Sequence, residues 1–154
     1  MIHKYILNSA VQTAELATKI GGFLQAGDVL LLSGNIGAGK TYFARSLIQA
    51  LQAPLGLLED VPSPTFTLVQ TYPLGTVDIW HSDLFRLGSV DEIVELGLTD
   101  AFENSICLVE WPDRLGADTP SRHLMLAFTQ GKTENARNLS ITENGTGWEW
   151  LKNV

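Results

Sequence analysis

A glycine-rich stretch that ends in a lysine and a threonine carries the strongest chemical signal in the chain. Its residues are Gly34, Asn35, Ile36, Gly37, Ala38, Gly39, Lys40 and Thr41, in the spacing G-x-x-x-x-G-K-T of a phosphate-binding P-loop. Glycines let the backbone curl until several N–H groups face one phosphate, and the following helix N-terminus adds its positive dipole. Lys40 supplies a point charge for the outer phosphates, and the Thr41 hydroxyl can ligate Mg²⁺. These residues predict binding of a nucleoside triphosphate.

Two carboxylates could serve the metal ion of a bound triphosphate. Glu110 ends the apolar run 106–109, and the carboxyl ends of strands line the ligand crevice of an open α/β sheet. Asp83 also follows a predicted strand, so its carboxylate could reach the same Mg²⁺ directly or through water. For each acid, the alternative is a helix cap without a part in the chemistry.

A threonine and a tryptophan stand where they could act on the nucleotide. Thr65 ends an irregular loop some two dozen residues past the P-loop, where switch segments place a threonine that senses the outer phosphate and metal. A plain strand-entry turn is the alternative for Thr65. Trp111 directly follows Glu110 and could stack on a base or cover the site, or pack against the sheet.

Four other polar residues are considered for a role at the site or in the structure. Arg86 and Arg137 are candidates for contacts with phosphate or with a partner, and Arg137 is predicted to bind nucleotide. Arg45 is interpreted as a charge on a helix surface, and His81 as a structural residue rather than a ligand.

Alternating strand and helix signals predict the elements that hold these residues. The apolar run 29–32 predicts the strand before the P-loop, and apolar residues spaced along 43–51 predict the helix after it. Ser9 followed by Gln12 resembles a capping box at the start of an earlier helix. Further strands are predicted at 1–7, 66–72, 77–81, 106–110, 123–129 and 139–142, and further helices at 90–96 and the C-terminus. We predict one α/β domain over 1–154, a mixed and mostly parallel sheet flanked by helices, with antiparallel strands added.

Composition excludes several classes of protein. No apolar run approaches the roughly 20 residues that cross a bilayer, so no membrane contact is expected. The single cysteine, Cys107, lies in an apolar run, which predicts a buried side chain and excludes a disulfide framework or a zinc site built from cysteines. A cytoplasmic location is the simplest expectation.

The net charge of −7 is concentrated in one segment. Residues 78–118 contain ten acids and two bases, for a net charge of −8. An acidic face repels phosphate backbones, which argues against direct, unaided binding of nucleic acid. For most of these acids, a solubilising surface is the alternative.

Together these motifs resemble the TsaE (YjeE) family of bacterial ATPases, which support threonylcarbamoyladenosine formation in transfer RNA. The matching stretches occur in family order over nearly the whole chain and are 34–41, 63–66, 81–87, 95–98 and 108–112. Asn35 stands where the family usually has Asp, Ser82 where Phe is usual, and Phe85 where Tyr is usual. Any role of that tyrosine hydroxyl does not carry over.

The resemblance implies a Mg²⁺-dependent ATPase that is weak alone and acts with two partners, a transferase of the sugar-kinase-like fold and its paralogue (TsaD/TsaB type). By family analogy, Lys40 and the P-loop hold the phosphates of ATP, while Thr41 and Glu110 serve Mg²⁺. Asp83 and Trp111 would be needed for activity, with Thr65 on a switch loop. The adenine would lie near the start of the first helix, where Ser9 matches. Contact of this subunit with tRNA is expected to be absent or indirect.

Two other functions stay open. In a nucleotide-gated assembly factor, ATP binding matters and hydrolysis is incidental. A small P-loop kinase or GTPase is the other alternative. However, the chain has no Asn-Lys-x-Asp segment that could read guanine, and its ten bases are scattered rather than gathered in a lid.

Overall fold

A seven-stranded mixed sheet in the order β1-β7-β6-β2-β5-β4-β3 organises the chain, and the computed structural model describes all residues from 1 to 154. The strands are β1 (Ile2–Leu7), β2 (Val29–Ser33), β3 (Val69–Pro73), β4 (Asp78–Asp83), β5 (Ile106–Glu110), β6 (His123–Gln130) and β7 (Arg137–Asn144). The helices are α1 (Ala10–Gly21), α2 (Lys40–Gln52), α3 (Asp91–Glu95) and α4 (Leu98–Asn104), with 3₁₀ helices at Ala53–Leu55, Pro112–Asp118 and Glu149–Asn153. Strands β6, β2, β5 and β4 run parallel, whereas β1, β7 and β3 add antiparallel pairs. This arrangement confirms the predicted fold class.

The centre of the sheet is apolar because helices cover both of its faces. All of β5 and all but the last residue of β2 are buried, as expected for parallel strands between two helical layers. α1 and α2 pack on one face, while α3, α4 and the 3₁₀ helix Pro112–Asp118 cover the other. Cys107 is fully buried, as predicted, and burial raises the pKa of its thiol to about 12. None of the helices has the length and apolar character needed to cross a bilayer.

The P-loop forms because glycines stand where no other residue fits. Gly34 follows β2 with a φ of 147°. A Cβ at this position would lie 2.8 Å from the carbonyl oxygen of Phe128 on β6, so the close packing of the two backbones requires glycine. Gly39, with a φ of 106°, is the N-cap residue of α2. Lys40 and Thr41 therefore lie in the first helical turn, directly after the glycine-rich loop.

Strands β3 and β4 differ from their predicted bounds. β3 begins three residues later than predicted, because residues 65–67 form a turn that is closed by the N–H of Leu68, which donates to the carbonyl of Pro64 at 2.7 Å. Leu68 adopts a φ of 69°, which ends extended pairing there. β4 continues past 81 because Asp83 pairs with Glu110 of β5. The strand extension places both carboxylates at the same edge of the sheet.

Other differences lie outside the centre of the fold. α4 and the 3₁₀ helix Pro112–Asp118 were not predicted, since each is short and lacks a long apolar period. β7 begins at Arg137, two residues before the predicted start at 139. At the start of α1, Ser9 Oγ accepts the N–H of Gln12, but the Gln12 side chain accepts the N–H of Asn8 rather than that of Ser9. The reciprocal half of the capping box is thus shifted by one residue.

Candidate functional site

The carboxyl ends of β2, β5 and β4 meet at one edge of the sheet, as the topology of an open α/β sheet requires of a ligand crevice. In the strand register, Leu32 lies opposite Glu110, and Glu110 lies opposite Asp83. A cavity of about 630 Å³ opens above this edge. It is lined by the predicted residues Ile36, Gly37, Gly39, Lys40, Thr41, Thr65, Asp83, Glu110, Trp111 and Arg137.

The amine of Lys40 is folded back onto its own loop. Its Nζ donates to the carbonyl oxygen of Gly34 and lies 3.5 Å from the centroid of the Trp111 ring, a cation–π contact. Burial lowers the pKa of Lys40, an effect opposed by the negative charges of Glu110, Asp83 and Asp113. The residue is only 4% exposed, so its charge is held in a partly desolvated position beside the P-loop.

Thr41 and Glu110 join α2 to the end of β5. The Thr41 hydroxyl donates to both carboxylate oxygens of Glu110, at 2.9 Å each. Glu110 Oε2 also lies 2.7 Å from Nε2 of His81, which is fully buried. A hydroxyl that donates its proton to a carboxylate keeps its oxygen lone pairs for a cation. The pair therefore offers oxygen ligands at the point where the P-loop helix begins.

Thr65 is brought to the site by a hydrogen bond to Asp83. The Thr65 hydroxyl donates to Asp83 Oδ2 at 2.9 Å and lies 2.7 Å from the hydroxyl of Ser63. Asp83 Oδ1 accepts the N–H of Phe85 at 3.0 Å. Asp83 thus stabilises the turn that follows β4, which is not the start of a helix, and its second oxygen accepts the hydrogen bond from Thr65.

Trp111 lines the cavity and also packs against the core on the face of the sheet that α3 and α4 cover. It adopts a φ of 57° immediately after β5, a left-handed conformation that non-glycine residues seldom adopt. Its ring contacts Lys40 and lies 4.9 Å from the ring of Phe85, with 46° between the planes. Unfavourable backbone conformations of this kind are concentrated at functional sites.

Arg137 lies behind the P-loop. Its Nε donates to the carbonyl of Ala38 at 2.8 Å and its Nη2 to that of Gly37 at 3.1 Å, while Nη1 donates to the carbonyls of Glu134 and Ala136. The guanidinium therefore supports the loop backbone. Its predicted contact with the nucleotide stays a prediction.

Three of the predicted P-loop residues lie away from the main cavity. Gly34, Asn35 and Ala38 line a smaller cavity of about 460 Å³ on the β6 side of the loop. Ser9 caps α1, and its neighbours Ala10 and Thr13 line the main cavity in its place.

Some residues that line the cavity have no predicted role, and one arginine makes a contact that its sequence position does not predict. Tyr42 and Asn135 line the cavity. Tyr42 follows the P-loop threonine directly and could have been inferred from that position, whereas Asn135 lies in a polar loop that carries no signal. Arg45 is not only a surface charge, because its Nε donates to the carbonyl of Val61 at 2.9 Å. Arg86 lies over the ring of Phe66, 4.8 Å from its centroid, and does not line the cavity.

The residues present suit Mg²⁺ bound together with phosphate. No group of three or more His, Cys, Asp or Glu side chains forms a ready metal cage. Mg²⁺ is typically held by one or two carboxylates, phosphate oxygens and waters rather than by such a cage. Glu110 and Asp83 are 2% and 3% exposed, and two buried carboxylates beside one lysine favour a further cation. Thr41 adds a neutral oxygen.

The family model and the relatives that match this sequence carry the same name. The family model described as Threonylcarbamoyl adenosine biosynthesis protein TsaE matches residues 7–139. The tRNA threonylcarbamoyladenosine biosynthesis protein TsaE of Rickettsia felis is 41% identical over 108 residues, which cover 70% of this chain and 61% of that protein. The Bacillus subtilis protein of the same name is 33% identical over 141 residues, covering 91% and 85%. The match thus spans less than two thirds of the Rickettsia felis protein.

A solved structure resembles the whole fold. The crystal structure of Bacillus subtilis YdiB superposes with a TM-score of 0.78 at 25% identity, over 99% of this chain and 93% of that one.

Proposed function

Because the chain belongs to the TsaE family, which takes part in tRNA threonylcarbamoyladenosine biosynthesis, we propose that it is a Mg²⁺-dependent ATP-binding protein with weak ATPase activity. It acts as a subunit or accessory of the complex that forms N6-threonylcarbamoyladenosine in tRNA. Residues 1–154 act as one P-loop ATPase domain, in the cytoplasm where tRNA is modified.

The contact between Thr41 and Glu110 carries the proposal. A P-loop alone provides binding, whereas phosphoryl transfer also needs an acid for the metal beside the loop. The hydrogen bonds of 2.9 Å from Thr41 to Glu110 bring such an acid to the first turn of α2. Asp83 lies opposite Glu110 in the strand register and gives the same edge a second carboxylate.

Each residue of the cavity then has a role. Lys40 and the loop amides hold the phosphates of ATP, which requires the amine to leave the Gly34 carbonyl. Thr41 and Glu110 ligate Mg²⁺, with Asp83 directly or through water, and the bound ion would neutralise charge on the phosphates. Thr65 senses the outer phosphate through its contact with Asp83.

The remaining residues of the cavity suit the nucleoside. Trp111 covers the phosphate end of the site. The adenine occupies the other end, near the start of α1 and beside Tyr42 and Asn135.

Hydrolysis is slow without partners because no free arginine lines the cavity. Arg137 is the only arginine in the lining, and its guanidinium is engaged by backbone carbonyls. An arginine that stabilises transition-state charge accelerates phosphoryl transfer by about 10³–10⁵. Partners of the TsaD/TsaB type, a transferase and its paralogue, would complete the site or couple it to tRNA modification.

Replacing Glu110 tests this proposal directly. In Glu110→Gln the side chain keeps its size but loses the charge that attracts Mg²⁺. ATP hydrolysis should fall by more than the roughly 10–100-fold that loss of an outer partner of a metal ligand costs, with ATP binding in EDTA retained. Calorimetry measures the binding, and release of inorganic phosphate measures the hydrolysis. Glu103→Gln removes an exposed glutamate at the end of α4 and serves as the matched control. Unchanged hydrolysis in Glu110→Gln would contradict the proposed role of this carboxylate.

A nucleotide-gated assembly factor is the second candidate. It is favoured by the hydrogen bond from Thr65 to Asp83, which links the nucleotide site to a surface segment without any need for hydrolysis. The two candidates differ in the complete modification complex. If Glu110→Ala binds ATP and the complex still performs many modification turnovers, hydrolysis is incidental and the assembly role is correct.

A further inference from the structure

His81 lies directly behind Glu110, in the buried face of the sheet. Its side chain is fully buried, and its Nε2 lies 2.7 Å from Glu110 Oε2. A carboxylate oxygen accepts hydrogen bonds, so the proton of this contact belongs to Nε2. The other ring nitrogen, Nδ1, is also buried and has no hydrogen-bond partner.

The surroundings of His81 would suit an apolar side chain. Residues at alternate positions of a strand share a face, so Ile79 lies on the same face as His81, and Leu108 of β5 is its partner in the register. Both neighbours are fully buried. A buried polar atom without a partner disfavours folding and requires an explanation. The unpartnered Nδ1 is explained if the contact made by Nε2 has a function.

The contacts of Glu110 indicate that function. Thr41 lies at the same distance from both carboxylate oxygens, 2.9 Å, and so does not distinguish them. His81 contacts Oε2 alone. It therefore fixes the rotation of the carboxylate about its last bond, and Oε1, which has no contact with His81, keeps lone pairs free for a cation.

We propose that His81 is a positioning residue for Glu110, which orients the carboxylate and thereby strengthens binding of the divalent cation that accompanies ATP. This inference rests on the proposed function, since it requires Glu110 to be a ligand of Mg²⁺. Outer partners that orient metal ligands typically change metal affinity by about 10–100-fold when they are replaced.

Two polar substitutions that differ by one methylene group separate this role from a structural one. In His81→Gln the amide nitrogen occupies the place of Nε2 and can still donate to Glu110. In His81→Asn the amide lies near the place of Nδ1 and is too short to reach Glu110. Ser82→Ala is the matched control, because Ser82 is the next residue of β4, is equally buried, and its hydroxyl also has no partner.

Two measurements determine the affinity for the cation and the affinity for the nucleotide separately. Electron paramagnetic resonance measures binding of Mn²⁺ to the protein with a non-hydrolysable ATP analogue, and calorimetry measures binding of the analogue in EDTA. We expect His81→Asn to weaken Mn²⁺ binding by about 10–100-fold, with the affinity for metal-free analogue within twofold of the unmodified protein. His81→Gln should restore most of the Mn²⁺ affinity, and Ser82→Ala should change neither value.

The inference is overturned if His81→Asn and His81→Gln bind Mn²⁺ equally, or if His81→Asn loses metal-free analogue affinity to the same degree as Mn²⁺ affinity. Thermal unfolding of both variants checks that each is folded, and a variant pair in which only Gln folds would likewise overturn it in favour of a structural role. If the unmodified protein binds no analogue, or binds it without any effect of Mn²⁺, the proposed function fails instead. The two failures are therefore distinguishable.

Discussion

The lowered pKa of Lys40 predicts that nucleotide binding is coupled to proton binding. Burial holds its pKa below the ordinary value for lysine, against the opposing charges of Glu110, Asp83 and Asp113. Phosphate oxygens placed beside the amine would favour its charged form and raise that pKa again. Between the lower pKa of the free protein and the higher pKa of the complex, the complex binds more protons. Nucleotide affinity should therefore fall as the pH rises through this alkaline window.

Calorimetry in buffers of different ionisation enthalpy measures this coupling. We expect net proton uptake when the ATP analogue binds at alkaline pH, and less uptake as the pH is lowered and the amine of the free protein becomes charged. The control is Lys40→Arg, whose guanidinium stays charged throughout and should bind without the uptake. Equal uptake by the unmodified protein and by Lys40→Arg would contradict the assignment to Lys40.

The predicted residues that lie together at the cavity are those whose positions are fixed by local spacing. Lys40 and Thr41 follow the loop glycines, and Glu110 ends an apolar run, so strand topology alone brings them together. Tyr42 could have been inferred because it follows Thr41 directly, whereas Asn135 escaped prediction because tertiary packing, not spacing, brings it to the cavity. A sequence pattern cannot distinguish such residues from ordinary surface positions.

α2 holds the segment that leads to Thr65 through polar side chains on one helical face. Arg45, Gln49 and Gln52 recur at the spacing that aligns side chains along a helix. Arg45 and Gln49 donate to the carbonyls of Val61 and Glu59, and Gln52 donates to the carboxylate of Glu59. The periodicity identified the apolar face of α2 correctly. It could not show that the polar face binds a loop, because two of the three acceptors are backbone carbonyls, which carry no sequence signal.

Two loop glycines provide a test of how the P-loop is built. Both Gly34 and Gly37 have positive φ, but a Cβ at Gly34 would meet the Phe128 carbonyl at 2.8 Å, whereas a Cβ at Gly37 would meet nothing within 4 Å. Gly37→Ala should lower the free energy of unfolding by about 1 kcal/mol, from backbone conformation alone. Gly34→Ala should lower it by about 1–3 kcal/mol from backbone strain, with a further loss from the clash against β6.

Urea unfolding of the two variants measures the difference, and nucleotide binding shows whether the loop keeps its shape. Because the clash would displace the loop from β6, Gly34→Ala should also lose more nucleotide affinity than Gly37→Ala. If both variants lose the same free energy of unfolding, the loop moves away from β6 without a cost in free energy. That result would contradict the close packing of Gly34 against the carbonyl of Phe128.

The distribution of charge over the whole molecule bears on how it meets tRNA. The segment 78–118 carries a net charge of −8, and six of its acids are exposed. Four of them lie on α3 and α4, one at the start of β4 and one on the 3₁₀ helix Pro112–Asp118. The two buried acids, Asp83 and Glu110, belong to the cavity. Lysine and arginine contacts with phosphates supply most non-specific affinity for nucleic acid, and this chain has ten such residues against seventeen acids. Its surface should therefore repel tRNA, even though its family serves tRNA modification.

Anisotropy of labelled tRNA checks this expectation with the protein alone, with the TsaD/TsaB-type partners alone, and with all of them together. We expect no binding by the protein alone at about 50 mM salt, where electrostatic binding is strongest. Addition of the protein to the partners should leave the salt dependence of their tRNA binding unchanged, because that slope reports the number of phosphates neutralised and this chain would add none. A control variant with Asp91→Lys and Glu95→Lys on α3 should gain weak, salt-sensitive binding. A dissociation constant below about 1 µM for the unmodified protein alone would show a direct tRNA surface, since non-specific binding falls in the range of about 10⁻⁴–10⁻⁶ M.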